Sequence, residues 1–169
     1  MNRVPTLGLG GVALAAAVAV AVAGCGGGSP SAGGGSAYAR PASAGTGPVA
    51  AKVATRNTKL GTVLVDGRGR TLYLFEKDKG TASSCYGACA SVWPPLTTGR
   101  HATGAGLLHA RLGASARHDG KTGVTVDGHP VYTYAGDRHP GDVTGQGLDQ
   151  FGAEWYVLAP NGHKIDHGS

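Results

Sequence analysis

The sequence predicts a mainly β protein: a single antiparallel β domain built from two pseudo-repeats, with one short helix near residues 87–93. Three observations predict it. Short runs of β-branched and aromatic residues recur through residues 51–169, separated by Gly, Asp and Pro turn signals. The second half repeats the first at offsets of 61, 59 and 62 residues. Nothing ahead of residue 51 has the composition of a folded core: residues 7–24 hold only Leu, Gly, Val and Ala, and 21 of residues 25–50 are Gly, Ala, Ser or Pro.

Within the folded part, Val53–Arg56 reads as the first strand. Thr62–Val65 and Thr71–Phe75 flank Asp66-Gly67-Arg68-Gly69 and read as a hairpin. Gly87–Trp93 is the one segment suited to a short helix, stopped by Pro94-Pro95. Ala110–Arg117 reads as a further strand. Val124–Val126 and Val131–Tyr134 then repeat the hairpin around Asp127-Gly128-His129-Pro130, and Trp155–Leu158 and His163–Ile165 complete the set. Val65-Asp66-Gly67 matches Val126-Asp127-Gly128, Tyr73–Asp78 matches Tyr132–Asp137, and Trp93 matches Trp155. The copies are about 51–108 and 109–169. Neither alone has much core, so the two are expected to pack as one domain.

The first 24 residues read as an export signal: Arg3, an apolar run, then small residues. Val22-Ala23-Gly24-Cys25 resembles a bacterial lipobox. That resemblance implies a lipid on the Cys25 sulfur, cleavage before Cys25, and a second acylation that makes anchoring stable. Residues 25–50 would then be a lipidated cysteine and a Gly/Ala/Ser/Pro tether with an end-to-end distance of roughly 25–30 Å. The expected location is the extracytoplasmic face of the bacterial cell membrane, with the membrane as partner through the lipid. Residues 51–169 carry 13 Lys and Arg against 10 Asp and Glu. The basic residues are scattered rather than interleaved with aromatics, which argues against a nucleic-acid partner. Cell-wall polymer or another envelope protein remains open as a partner.

The doubled Tyr-x-[Phe/Trp/Tyr]-x-x-Asp motif, the run Cys85-Tyr-Gly-Ala-Cys89-Ala-Ser-Val-Trp93-Pro-Pro and the lipobox together resemble the bacterial secreted-repeat lipoproteins. The resemblance covers the leader and nearly all of residues 57–162. It implies an exported lipoprotein and no reaction. The second copy lacks the Cys pair and has no Pro-Pro after Trp155.

Tyr73 and Phe75, like Tyr132 and Tyr134, share one face of a strand, with Asp78 and Asp137 just past the strand ends. These six residues are either core aromatics with turn carboxylates or paired sites for a sugar, a cation or wall polymer. The first is favoured because strand aromatics usually pack inside. With Cys25 taken by lipid, Cys85 and Cys89 remain in an oxidising compartment, where a disulfide is the default. A four-residue spacing permits it in a helix or turn. A redox pair and half of a metal site stay open as alternatives. Among seven histidines, His139 with Asp142 forms a weak metal candidate without diagnostic ligand spacing, and a single Met excludes Met-rich copper sites. No nucleophile elbow, Walker loop or zincin motif appears, so no catalytic residue is assigned and no cofactor is indicated. The expected function is a non-enzymatic binding or scaffolding protein of the cell envelope; the alternative is an extracytoplasmic redox or metal-handling accessory using Cys85 and Cys89.

Overall fold

A computed structural model describes residues 48–166, all within one compact unit. The leader and residues 25–47 of the tether lie outside the described residues. Val49 and Ala50, at the tether's end, already meet the domain: the Val49 carbonyl accepts the Gly99 N–H at 2.9 Å.

The described residues form three small sheets. In the first, β1 (Lys52–Thr58) pairs antiparallel with β2 (Gly61–Asp66), and β4 (Thr103–Gly104) lies parallel along the other edge of β1. In the second, β3 (Tyr73–Phe75) pairs with β9 (Ala153–Val157), which pairs with β8 (Leu148–Gln150). In the third, β6 (Thr122–Val126) lies between β5 (Leu112–Ala116) and β7 (His129–Pro130). The one helix, α1 (Ala88–Val92), falls inside the predicted 87–93 window, and Trp93 caps it just before Pro94. The described residues are thus mainly β and mainly antiparallel, and among them only the two-residue β1–β4 contact runs parallel.

The period-2 alternation of the strands sorts the core into two layers. Val63, Val65, Tyr73, Phe75, Trp155 and Val157 enter an aromatic cluster. Their chain neighbours Leu64, Leu72, Leu74, Tyr156 and Leu158 enter an aliphatic one with Val53, Val124, Val126 and Val131. Apolar residues on both faces explain why these runs are short and continuous rather than cleanly alternating with charge.

Corresponding strands make corresponding bonds. The Leu64 N–H donates to Leu158 O and the Val124 N–H to Leu96 O, both at 2.8 Å. The Leu72 N–H returns to Leu64 O and the Val131 N–H to Val124 O. Leu64 and Val124 are therefore equivalent, which places the sequence match of Val65 with Val126 one residue out of the hydrogen-bonded equivalence. The slippage sits in the turns. Asp127 and Gly128 form a two-residue turn with φ of 47° and 81°. The first copy uses a longer turn, in which Asp66 accepts from the Arg68 and Arg70 N–H groups.

Four expected strands differ in detail. Thr62–Val65 and Thr71–Phe75 are joined by only a Val65–Thr71 bridge and the Leu72–Leu64 bond, because β2 pairs with β1 and β3 with β9. In the second copy the ladder is formed by His129–Pro130, expected as turn, while Val131–Tyr134 crosses between sheets through isolated bridges at Tyr132. Likewise His163–Ile165 contributes only the Leu158–Lys164 bridge and the Ile165–Val157 bond.

Candidate functional site: the crossed tyrosine–aspartate core

The two copies meet where Tyr73 and Tyr132 face each other. The Tyr73 N–H donates to Tyr132 O at 2.9 Å, and the Tyr132 N–H donates back to Tyr73 O at 3.0 Å. Their side chains then cross. Tyr73 Oη donates to Asp137 Oδ2 at 2.7 Å, and Tyr132 Oη donates to Asp78 Oδ2 at 2.6 Å. Each tyrosine thus reaches the aspartate of the other copy. The second oxygen of each carboxylate folds its own loop. Asp78 Oδ1 accepts from Ser84 N at 2.7 Å and Ser84 Oγ at 2.8 Å; Asp137 Oδ1 accepts from Thr144 N at 3.0 Å and Thr144 Oγ1 at 2.6 Å. Both rings are fully buried. Burial, then the adjoining carboxylate, pushes both hydroxyls far above the ordinary tyrosine value. They are neutral donors to carboxylate oxygens.

Around these pairs four further aromatics stack in one column. Phe75 lies on Trp155 at 4.0 Å between centroids, Trp155 on Trp93 at 3.9 Å, and Trp93 on Tyr134 at 4.3 Å. Tyr73 meets Trp93 edge-on at 5.3 Å, and Tyr132 meets Trp155 likewise at 5.2 Å. Gln150 ties off both indoles: its side-chain oxygen accepts from Trp93 Nε1 at 2.9 Å and its carbonyl from Trp155 Nε1 at 3.0 Å. The column leaves no room beside it. A Cβ on Gly145 would come within 2.7 Å of the Trp93 ring and 3.0 Å of the Tyr73 ring.

All six motif residues are therefore brought together: Tyr73, Phe75, Tyr132 and Tyr134 with Asp78 and Asp137. Phe75 and Asp78 also border an open recess of about 200 Å³ with Glu76, His129, His163 and Lys164.

Cys85 and Cys89 are joined in a disulfide, with Cα atoms 5.2 Å apart. Both are buried in the aromatic cluster. Arg117 holds the bridged loop: it donates to Ser83 Oγ at 2.7 Å, to Cys85 O at 2.9 Å and to Asp119 Oδ2 at 3.3 Å, and its guanidinium lies 4.4 Å over the Tyr86 ring. The Ser83 hydroxyl in turn donates to Tyr132 Oη at 2.7 Å. A continuous polar chain thus runs from the bridge to the crossed pair. Arg117 is the residue that sequence reasoning missed. Its only signal was an arginine ending the expected Ala110–Arg117 strand, two residues before an aspartate.

His139 and Asp142 lie 3.5 Å apart, but Asp142 Oδ2 also accepts the N–H groups of Arg138 and His139 at 2.9 and 2.8 Å. Those bonds, with the His139 charge, hold the Asp142 carboxyl below the usual range. It is a turn-forming carboxylate. Among the described residues, no three His, Cys, Asp or Glu side chains gather as a metal centre would require.

Comparison with known proteins agrees with the repeat. The model of a family described as a secreted repeat of unknown function (Lipoprotein_15) matches residues 54–97 and again residues 113–159, together more than half of the chain. No curated protein and no solved structure matches the chain.

Proposed function

This chain belongs to the secreted-repeat family, and from that premise we propose that it is a lipid-anchored, non-enzymatic scaffold of the cell envelope. The family is secreted, so the protein works outside the cytoplasm. The finer steps are inferences. Cys25, after Val22-Ala23-Gly24, takes the lipid. The Gly-rich segment spaces the domain from the membrane face, and the domain presents a stiff β surface to wall polymer or another envelope protein. One observation carries the non-enzymatic reading: the chemistry-bearing side chains of both motif copies satisfy one another inside the core. A catalytic acid or nucleophile must instead reach substrate. The buried bridge also weighs against the redox accessory, since thiol–disulfide exchange needs an accessible sulfur.

Metabolic labelling with a fatty-acid probe tests the anchor. The wild-type chain should carry label and sediment with membranes. Cys25→Ser should lose the label and remain an uncleaved precursor, because a hydroxyl does not accept the lipid. Unchanged labelling of that variant refutes the anchor.

A further inference from the structure

We propose that the outer edge of β5 is an interaction surface for a second copy of this chain, paired antiparallel about Ala114. The Asp127 N–H donates to Arg111 O, and the Arg117 N–H donates to Lys121 O, both at 2.9 Å. In an antiparallel ladder this parity turns Arg111, Gly113, Ser115 and Arg117 toward β6, and Leu112, Ala114 and Ala116 away from it. The outward N–H and C=O groups of those three residues have no backbone partner among the described residues. Gly113, Ala114 and Ala116 are exposed.

The other copy of the repeat shows such an edge filled. Thr55 faces Leu64 and Ala114 faces Val124, so β1 is the equivalent strand and Val53 corresponds to Leu112. At Val53 the outer edge is covered by β4: the Thr103 N–H donates to Ala51 O at 2.9 Å and the Ala105 N–H to Val53 O at 3.0 Å. One edge thus accepts an extended segment while its twin accepts none among the described residues.

The twin is also unguarded. Residues 112–116 contain no charge and no proline, the usual devices that blunt an edge. That same lack of charge suits the edge to a second copy, which brings an equally uncharged strand. A twofold axis at Ala114 sets Leu112 against Ala116 of the second copy and Ala114 against Ala114, so every outward donor meets an outward acceptor. No like charges oppose within the strand. At its end this register sets the exposed Arg111 opposite Arg117 of the second copy, whose guanidinium is buried and turned inward onto Ser83, Cys85 and Asp119. A five-residue edge covers far less than the about 1,200–2,000 Å² of a stable solution interface. The pairing is therefore weak when dilute and depends on copies held at high local concentration on one surface. Its strength rests on the proposed anchoring; its geometry does not.

Cysteine crosslinking in the full-length protein in bacterial membranes tests it. Two Ala114 α-carbons across the axis would lie about 5.5 Å apart, within disulfide range. Two Ala116 α-carbons would lie about 14 Å apart. Under mild oxidation Ala114→Cys should give at least ten times more disulfide dimer than Ala116→Cys. Equal yields at the two positions, no dimer from a normally lipid-labelled Ala114→Cys protein, or an Ala114→Cys adduct with a different protein in place of the dimer would each overturn the proposal. Ala114→Cys dimer formed by a concentrated, unlabelled Cys25→Ser chain would support the edge. Lipid labelling of the same samples separately decides the anchor.

Discussion

The two copies of the repeat deliver the same tryptophan by different means. Trp93 arrives at the end of α1, behind a five-residue loop closed by the Cys85–Cys89 disulfide and held by Arg117. Trp155 arrives on β9, in a hairpin with β8 held by backbone bonds and a two-residue turn at Phe151-Gly152. The rings then stack 3.9 Å apart and within 5° of parallel. What the copies share is the buried geometry: crossed Tyr–Asp pairs, edge-on tyrosines, stacked indoles. What they do not share is the outer support. The side chains where the two copies meet are matched, whereas the supports that place the two indoles differ.

The largest effect should come from the column itself. Trp93→Ala and Trp155→Ala should each destabilise by about 3–5 kcal/mol, the range for a buried aromatic replaced by alanine. That is a large part of a typical 5–15 kcal/mol total. Urea unfolding should show the two losses nearly equal, since each ring packs on the other. A difference above about 1.5 kcal/mol would mean that one copy carries the core and the other is appended to it.

Next come the crossed pairs. Tyr73→Phe or Tyr132→Phe should cost about 1–3 kcal/mol, because a half-buried carboxylate oxygen loses a donor. Double-mutant cycles distinguish crossed from local pairing. Tyr73→Phe should couple to Asp137→Asn and add independently to Asp78→Asn; the opposite pattern refutes the crossing. The same hydroxyls predict behaviour in base. Their folded-state values are raised above the unfolded one, so their contribution is whole below about pH 10 and falls as pH rises past it. Over that range the unfolded chain releases two protons that the folded chain keeps. Stability plotted against pH should therefore fall more gently in Tyr73→Phe than in the wild type.

Much of this was readable from the chain alone because it rests on local chemistry. The repeat, the strand runs, the helix stopped by Pro94 and the Cys85–Cys89 bridge each depend on residues close in sequence. The crossing was not readable. Tyr73 and Asp137 are 64 residues apart, and Asp78 at the end of the same strand is the nearer carboxylate. Either pairing satisfies the same alternation, and only docking of the copies decides. The ladder partners of β2 and β3 were hidden for the same reason: a run buried on both faces does not say which neighbour it joins. The exchange of strand and turn at His129–Tyr134 follows from Tyr132, whose backbone is claimed by Tyr73 of the other copy.

The bridge should matter less than the core it supports. Closing so short a loop contributes on the order of 2 kcal/mol in the chain-entropy model. Cys85→Ser with Cys89→Ser should therefore remain folded and melt earlier. A structural bridge should also have a reduction potential roughly below −300 mV. A value of about −120 to −270 mV, the range of thiol–disulfide catalysts, would make the first copy's support a working redox pair and would reverse the functional reading.

The smallest effect should have the opposite sign. At the tip of the second copy's support, Phe151 sits at a φ of 61°, followed by Gly152 at 89°. A two-residue hairpin turn with both φ values positive favours Asn-Gly, and a bulky residue in that conformation is strained. Phe151 is 40% exposed, so its ring recovers little of that strain by burial. The Lys77 ammonium donates to its carbonyl at 3.0 Å, a contact that any residue at the position keeps. Phe151→Asn should then stabilise the domain by roughly 0.5–1 kcal/mol, because asparagine tolerates the left-handed region. The gain sharpens the comparison between the copies when it is combined with the double cysteine variant. If the two supports act separately on a common column, the gain should be the same with and without the bridge, since distant sites add within about 0.5 kcal/mol. If the gain disappears when the bridge is absent, the bridged loop and the β8–β9 hairpin are one cooperative support, and the equivalence of the two copies ends at the tryptophans.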